Sequence, residues 1–232
     1  MIGIICAEPQ EIEEIIKLMD NTKKEKICSL NFTTGTISKT NCVAALSGVG
    51  KVNAAMCTQS MIIKYNPDII LNVGVAGGIS DNIKIGDIVI GKGVIQHDFD
   101  VSAFPGRKKG EISGLGKVEI PCTKRISDKL ILASKNIKNL NIHYGTILTG
   151  DQFINSPEIL HNLKNYFNGF ACEMEAGSIG QVCFINNIEF GVIKSISDTA
   201  DSNSTVDFKT FIKQSSKNCS NLLLEFIKLN RD

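Results

Sequence analysis

The chain has 232 residues, and its 25 Lys plus Arg are balanced by 24 Asp plus Glu. This length allows one sizeable α/β domain. The balanced charge excludes a strong field that would recruit nucleic acid or an anionic membrane. The expected partner is therefore a small molecule or another protein.

The cysteines and histidines give no sign of a metal site. Eight cysteines are scattered without a CxxC pair, and none of the three histidines has ligand spacing from a cysteine. We therefore expect buried, reduced thiols and no metal. The N-terminal stretch "MIGIICAEPQE" lacks the basic region of a signal peptide, and no apolar run approaches the roughly 18 residues that span a bilayer. The sequence predicts a soluble, cytoplasmic protein.

Short apolar runs alternate with helical patterns along the chain. The runs lie near residues 2, 42, 68, 86, 142 and 190, and several are nearly continuous in Ile, Val and Leu, as in strands covered on both faces. Helices are predicted over residues 10–19, 51–65, 127–137, 156–166, 175–186 and 207–229. This alternation predicts one α/β domain over residues 1–232, with a mixed, mostly parallel central β-sheet flanked by helices. The irregular stretch 105–117 is expected to be an exposed loop.

Two glycine-rich turns are candidate ligand sites. "SGVGKVNAA" fails as a phosphate loop because Ala45 and Val52 stand where glycine and a hydroxyl residue are needed, so an ordinary strand-to-helix turn is expected. "NVGVAGGIS" follows an apolar strand, and its glycines would let a ligand approach the backbone at the carboxyl end of that strand. Taken alone, neither turn identifies a substrate.

A set of motifs in a fixed order is more informative. They are "IGIICAEPQE", "SGVGKVNAA", "NVGVAGGI", "GDIVI", "HDFDVSAF", "TGDQFI", "EMEA" and "SISDTAD". With them the chain resembles, from end to end, the 5′-methylthioadenosine/S-adenosylhomocysteine nucleosidases of the nucleoside phosphorylase superfamily. The resemblance implies a nucleoside phosphorylase-like fold and hydrolysis of the N-glycosidic bond of an adenine nucleoside without a cofactor. It also implies a homodimer.

The resemblance assigns one carboxylate to each chemical task. Breaking the glycosidic bond leaves an electron-rich purine and an electron-poor sugar, so it needs an acid at the base, negative charge near the ribose and a positioned water. Asp198 matches the general acid that protonates N7 of adenine. Glu11 matches the acid that orients and deprotonates the water, and Glu175 matches the one that holds the ribose hydroxyls. Glu173 is then expected to support the site from the start of a helix.

The resemblance also implies a set of binding residues. Phe153 is expected to stack on adenine, Ile154 to read the adenine edge through its backbone, and Met174 to pack against the sugar. Other expected binding residues are Ala76, Gly77, Ser197 and Lys194. Val49, Val101 and Phe208 would line the space for the 5′-alkylthio group, with Phe104 added from the partner subunit of the dimer.

Three positions depart from the family pattern. Val75 stands where many relatives carry Ser or Thr, and Lys194 stands where an arginine organises the carboxylates. Glu8 replaces an apolar residue near the 5′ pocket, which suggests tolerance of polar 5′ substituents.

Four alternatives stay open on the sequence. Two are adenine nucleosidases that act mainly on aminofutalosine or on 5′-deoxyadenosine. The others are a phosphate-dependent phosphorylase and a non-catalytic nucleoside-binding protein. The phosphorylase is disfavoured because the chain has only three arginines, Arg107, Arg125 and Arg231, all away from the glycine turns.

Overall fold

The computed structural model describes residues 1–201 and 204–230, and within these ranges it contains ten strands and six helices. The strands are β1 (Ile2–Cys6), β2 (Asp20–Ile27), β3 (Leu30–Ile37), β4 (Thr40–Leu46), β5 (Ile69–Gly78), β6 (Ile88–Gln96), β7 (Ile120–Pro121), β8 (Ile142–Thr149), β9 (Ala171–Glu173) and β10 (Glu189–Asp198). The helices are α1 (Pro9–Ile16), α2 (Lys51–Tyr65), α3 (Lys124–Ser134), α4 (Pro157–Phe167), α5 (Ala176–Ile185) and α6 (Ser204–Leu229).

All strands belong to one sheet, part of which closes on itself. β10 pairs with both β5 and β6, and the chain of pairings β6–β8–β9–β5 completes a ring of five strands. From β5 the sheet continues through β1, β4 and β3 to β2 at its outer edge. Five of the ten pairings among the described residues are parallel, so the sheet is more evenly mixed than the sequence suggested.

Helices cover both faces of the sheet, as predicted. One core layer joins the sheet to α2 and α5, for example through Met61 and Ile179. The other joins it to α1, α3 and α6, for example through Ile15, Leu130 and Phe226. Among the described residues, no helix has the length and apolar character needed to cross a membrane.

The predicted elements are all present, with ends shifted by a few residues. Ser156 caps α4 by accepting from the N–H of Ile159 at 3.5 Å, and Pro157 occupies the first turn of the helix. Four strands of the structure were not predicted from the sequence, namely β2, β3, β7 and β9. β2, "DNTKKEKI", is exposed along nearly its whole length and has no apolar run, so only its antiparallel pairing with β3 makes it a strand.

Two further expectations concern the loop and the cysteines. Residues 105–117 form turns outside the named strands, with an isolated bridge between Ile112 and Lys117, and the loop is anchored by the buried Ile112 side chain. All eight cysteines are free thiols and seven are buried, whereas Cys28 is exposed.

Candidate active site

A cavity of about 450 Å³ lies at the carboxyl ends of β1, β5 and β10. This is where open α/β sheets place ligands, because strand ends leave a crevice there. The lining residues are Ala7, Glu8, Glu11, Val49, Val75, Ala76, Gly77, Phe153, Cys172, Glu173, Met174, Glu175, Ser197, Asp198, Thr205, Phe208 and Lys209. Eleven of the predicted site residues are among them, including all three proposed catalytic acids.

Glu11 lies in the first turn of α1 and is held by backbone donors. Its Oε2 accepts from the N–H groups of Ala7 and Glu8, both at 2.9 Å, and its Oε1 accepts from the N–H of Val75 at 2.8 Å. A Cβ at Gly74 would lie 2.3 Å from Oε1, so only glycine leaves room for this carboxylate. Strand β5 and helix α1 therefore fix Glu11 at the base of the cavity.

Glu173 and Glu175 have different partners, although only Met174 separates them. Glu173 accepts from the N–H groups of Glu175 and Ala176 at the start of α5, and from the Thr149 hydroxyl. It also pairs with Lys194 at 2.9 Å, and both side chains are almost completely buried. The hydrogen-bonding capacity of Glu173 is thus used within the protein, as expected for an acid that supports the site from the start of a helix.

Glu175 keeps more of its acceptor capacity. Its Oε1 accepts from the N–H of Gly50 at 2.9 Å. Burial and the neighbouring Glu173 carboxylate raise the pKa of Glu175 to about 8, against the opposing effect of Lys194. Hydrogen-bond donors from a ligand would therefore find an acceptor that the protein leaves only partly satisfied.

Lys194 does not line the cavity but lies behind it. Burial alone would lower the pKa of this ammonium group, yet the carboxylates of Glu173, Glu175 and Glu11 raise it well above its ordinary value. Lys194 therefore stays charged and offsets part of the negative charge gathered around it. The expectation that it organises the carboxylates agrees with this position, whereas direct contact with a ligand in the cavity does not.

Asp198 ends β10 at an irregularity of the sheet. The register between β10 and β5 shifts between Ile196 and Asp198, which redirects the side chain at the strand end. Its Oδ1 accepts from the N–H of Ala200 at 3.0 Å and its Oδ2 from the Ser197 hydroxyl at 2.9 Å. Burial raises the pKa of Asp198, although these hydrogen bonds oppose the shift. A Cβ at Gly77 would lie 2.8 Å from Oδ1, so this glycine also makes room for a carboxylate.

Aromatic side chains form one wall of the cavity. The rings of Phe153 and Phe208 meet edge to face, with centroids 5.9 Å apart. Phe153 is 45% exposed, which leaves a ring face free for a flat ligand. A second cavity of about 30 Å³ adjoins the first and is lined by Gln152, Phe153 and Ile154 together with Asp198. Ile154 thus lies beside the main cavity rather than in its lining.

Two predicted residues lie elsewhere in this chain. Val101 and Phe104 are both absent from the lining of the cavity, and Phe104 is 67% exposed. An exposed Phe104 agrees with a contribution to the site of a partner subunit, while Val101 has no contact with the cavity of its own chain.

Sequence reasoning missed several lining residues. Ala7, Cys172, Thr205 and Lys209 line the cavity, and the backbone of Gly50 binds Glu175. Ala7 lies within "IGIICAEPQE" and Cys172 directly precedes "EMEA", so both positions carried a usable signal. The turn at Gly50 was expected to contribute Val49 to the site, whereas the bond from its backbone to Glu175 was not foreseen.

The comparisons with known proteins agree with this geometry. The sequence profile described as "Phosphorylase superfamily" matches residues 1–228. The 5′-methylthioadenosine/S-adenosylhomocysteine nucleosidase of Bacillus subtilis (strain 168) is 35% identical, and the match covers 98% of each chain. The chain belongs to this nucleosidase family. A nucleosidase of the same name from Shewanella halifaxensis is 36% identical over 98% of both chains.

Solved structures support the same family and fold. The nucleosidase of Neisseria meningitidis, in complex with methylthio-immucillin-A, has a TM-score of 0.95 and 31% identity over 98% of each chain. A futalosine hydrolase of Helicobacter pylori has a TM-score of 0.93 and 29% identity, over 98% of this chain and 97% of its own. The predicted nucleoside phosphorylase-like α/β fold is therefore confirmed.

Proposed function

We propose that this nucleosidase-family chain hydrolyses the N-glycosidic bond of 5′-methylthioadenosine and S-adenosylhomocysteine and releases adenine. The observation that carries the proposal is one cavity lined by Glu11, Glu175 and Asp198 beside the exposed ring face of Phe153. Curated relatives that bear this activity in their names match 98% of the chain.

Asp198 is assigned the role of general acid. The bond between C1′ and N9 breaks with its electron pair moving to the purine, and a proton passes from the carboxyl group of Asp198 to N7. The raised pKa of Asp198 favours the protonated form that this step requires. Its carboxyl oxygen can then accept from the 6-amino group of adenine.

Glu11 and Glu175 are assigned to the sugar side of the reaction. Water attacks C1′ and loses a proton to Glu11, whose orientation is fixed by three backbone N–H groups. The ribose hydroxyls donate to Glu175, and these bonds strengthen as the sugar gains positive charge. Donors from the ribose favour ionised Glu175, so substrate binding counteracts the raised pKa of that group.

The remaining assignments concern recognition. Phe153 stacks on adenine, Ile154 reads its edge through the backbone, and Met174 packs against the sugar. Val49 and Phe208 line the space for the 5′ substituent, with Ala76, Gly77 and Ser197 near the purine and ribose. This set is supported by its presence in or beside the two adjoining cavities.

Glu8 and Lys209 give the cavity charged groups suited to a polar 5′ substituent. Both line the cavity, and burial together with Glu11 raises the pKa of Glu8. A methylthio group offers no partner to either charge, whereas the homocysteine tail carries an ammonium and a carboxylate. We therefore expect good activity on S-adenosylhomocysteine.

Hydrolysis is favoured over phosphorolysis by the lining of the cavity. A phosphate dianion calls for arginines and hydroxyls. Arg107 pairs with Glu111, and Arg125 pairs with Glu189, so no arginine of the described residues lines the cavity; Arg231 lies outside those residues. A pure binding protein would have no use for three buried acids in one cavity.

A second candidate is hydrolysis of aminofutalosine. It is supported by the similarity to the Helicobacter pylori futalosine hydrolase, and by Lys209, which could pair with an anionic 5′ substituent. A third candidate is 5′-deoxyadenosine, which has no polar 5′ group that could bind Glu8 or Lys209. The charged residues of the cavity therefore do not favour it.

The experiment that tests the proposal follows free adenine. The purified chain is incubated with methylthioadenosine, S-adenosylhomocysteine, aminofutalosine, 5′-deoxyadenosine and adenosine. Each incubation is carried out with and without phosphate. Release from methylthioadenosine and S-adenosylhomocysteine without phosphate is the expected result. Strict phosphate dependence would indicate a phosphorylase, and no release from any nucleoside would contradict the enzyme assignment.

A cytoplasmic homodimer completes the proposal. The helices α2 and α5 pack against each other and expose apolar side chains, including Val52, Ile63 and Ile185. Such a patch is typical of an interface between protein chains. In this assembly Phe104 would enter the site of the partner subunit. Light scattering of the purified protein measures the assembly, and a monomer would contradict it.

A further inference from the structure

Three charged residues from separate parts of the chain form a closed ring of hydrogen bonds. The Lys51 ammonium donates to Oδ1 of Asp98 at 2.6 Å, and Oδ2 of Asp98 accepts from the N–H of Asp151 at 2.8 Å. Oδ1 of Asp151 then accepts from the N–H of Lys51 at 2.8 Å. None of the three lines the cavity, so the ring has no part in the chemistry already described.

The ring is attached to the site at two points. Gly50, next to Lys51, donates its N–H to Glu175 at 2.9 Å. Its backbone has φ of 99°, and a Cβ there would lie 3.2 Å from Oδ1 of Asp151. At the other point Asp151 begins the segment 151–154, whose Phe153 and Ile154 line the two cavities. A displacement of the ring would therefore move both the donor to Glu175 and the aromatic wall.

Two of the three side chains in the ring are partly sheltered from solvent, whereas Asp151 is exposed. The side chains of Lys51 and Asp98 are 17% and 21% exposed. Burial alone would raise the pKa of Asp98, but the Lys51 ammonium and the Asp151 N–H lower it below its ordinary value. The lowered pKa keeps Asp98 ionised, and charge-assisted hydrogen bonds to a carboxylate are short and directional.

We infer that Lys51, Asp98 and Asp151 are positioning residues that hold the Gly50 N–H against Glu175 and the 152–154 segment against the substrate. The inference rests on the proposed function, because it acts through Glu175 and Phe153. A loss of positioning in a preorganised site costs up to roughly a hundredfold in rate. The ring should therefore affect turnover more than its distance from the cavity suggests.

The test compares Lys51→Met with Lys64→Met. Lys64 lies on the same helix, and its ion pair with Glu25 is on the surface. Adenine release from methylthioadenosine should fall about tenfold or more in Lys51→Met, mainly through kcat, and stay unchanged in Lys64→Met. Lys51→Arg keeps the cation and should recover part of the loss. Asp98→Asn, which changes the side-chain volume little, replaces Lys51→Met if that variant does not fold.

A double-mutant cycle with Glu175→Gln separates positioning from general stability. If the ring acts through Glu175, the loss in Lys51→Met should be much smaller in the Glu175→Gln background than in the wild type. Fully additive losses, or a normal kcat/KM in Lys51→Met, would overturn the inference while the wild-type chain remains active. A wild-type chain that releases no adenine would instead overturn the proposed function, and this inference with it.

Discussion

The buried carboxylates of the cavity and its less buried charged residues, Glu8 and Lys209, are held in different ways. Glu11 and Asp198 receive hydrogen bonds from backbone N–H groups, and Glu175 receives one from Gly50. Glu8 and Lys209 line the same cavity, but neither forms an ion pair within the described residues.

This difference separates the residues proposed to carry out the reaction from those proposed to select the substrate. Backbone donors depend on the path of the chain, so the fold itself orients the buried acids. Side chains without fixed partners can be exchanged at little cost to stability. We therefore expect substitutions of the buried acids to change stability and turnover, and substitutions of Glu8 or Lys209 to change mainly the preference among substrates.

The largest expected effect comes from Lys194→Met. Removing this cation leaves Glu173 buried without its ion-pair partner, beside Glu175 and Glu11. Breaking a buried pair in this way costs about 3–5 kcal/mol of the free energy of unfolding. Denaturant unfolding measures the loss. Lys124→Met, which removes an exposed pair with Asp128, should change it by less than about 1 kcal/mol. Equal losses would show that burial gives the Lys194 pair no greater effect on stability than a surface pair has.

Asp198→Asn should lower turnover by at least roughly a hundredfold, in the range of lost general acid catalysis. The fold should persist, because asparagine can still accept from the N–H of Ala200. Adenine release and a denaturation profile are measured together, with the surface variant Asp128→Asn as the control. Near-normal turnover would mean that another group donates the proton.

Glu175→Gln should stabilise the ligand-free protein at neutral pH. The folded-state pKa of Glu175 is raised from 4.5 to about 8, so the folded protein holds a proton that the unfolded chain has lost, and stability falls as pH rises between these values. The neutral variant escapes this cost, which is on the order of 4 kcal/mol at pH 7.5, because that pH lies about three units above the unfolded pKa and each unit corresponds to about 1.4 kcal/mol. Unfolding of both proteins at pH 4.5 and 7.5 measures it. The gap should nearly vanish at pH 4.5, and a gap independent of pH would contradict the account.

The smallest effect is expected from Glu8→Met. The ratio of kcat/KM for S-adenosylhomocysteine over methylthioadenosine should fall roughly twofold to fivefold, since a partly exposed charge contact contributes about 1 kcal/mol or less. Glu13→Met, at an exposed position of α1, should leave the ratio unaltered. An unaltered ratio in Glu8→Met would show that this charge does not select the substrate.

Much of the fold follows from local sequence signals, and the failures have identifiable causes. The range of α2 was predicted to the residue, because the helical pattern runs unbroken from Lys51 to Tyr65. β2 was missed because its residues are polar and its strand conformation depends on pairing with β3. β7 and β9 are two and three residues long, which is too short for any periodicity.

The site was predicted less completely because its contacts are long-range. Motifs pointed to Glu11, Glu175 and Asp198, but nothing local shows that the Gly50 N–H meets Glu175 across 125 positions. The glycines of "NVGVAGG" were interpreted as room for a ligand. Gly77 does line the cavity, but Gly74 and Gly77 also make room for Glu11 and Asp198, a relation that appears only when β5, α1 and β10 come together.

The edge strand β2 limits how copies of this chain can assemble. It has unpaired backbone groups along its outer side, and it carries Lys23, Lys24 and Lys26 on exposed positions. Two copies meeting edge to edge would bring these like charges together, which opposes continuation of the sheet from one molecule to the next. The strand β2 therefore works against fibre-like stacking of one molecule on the next.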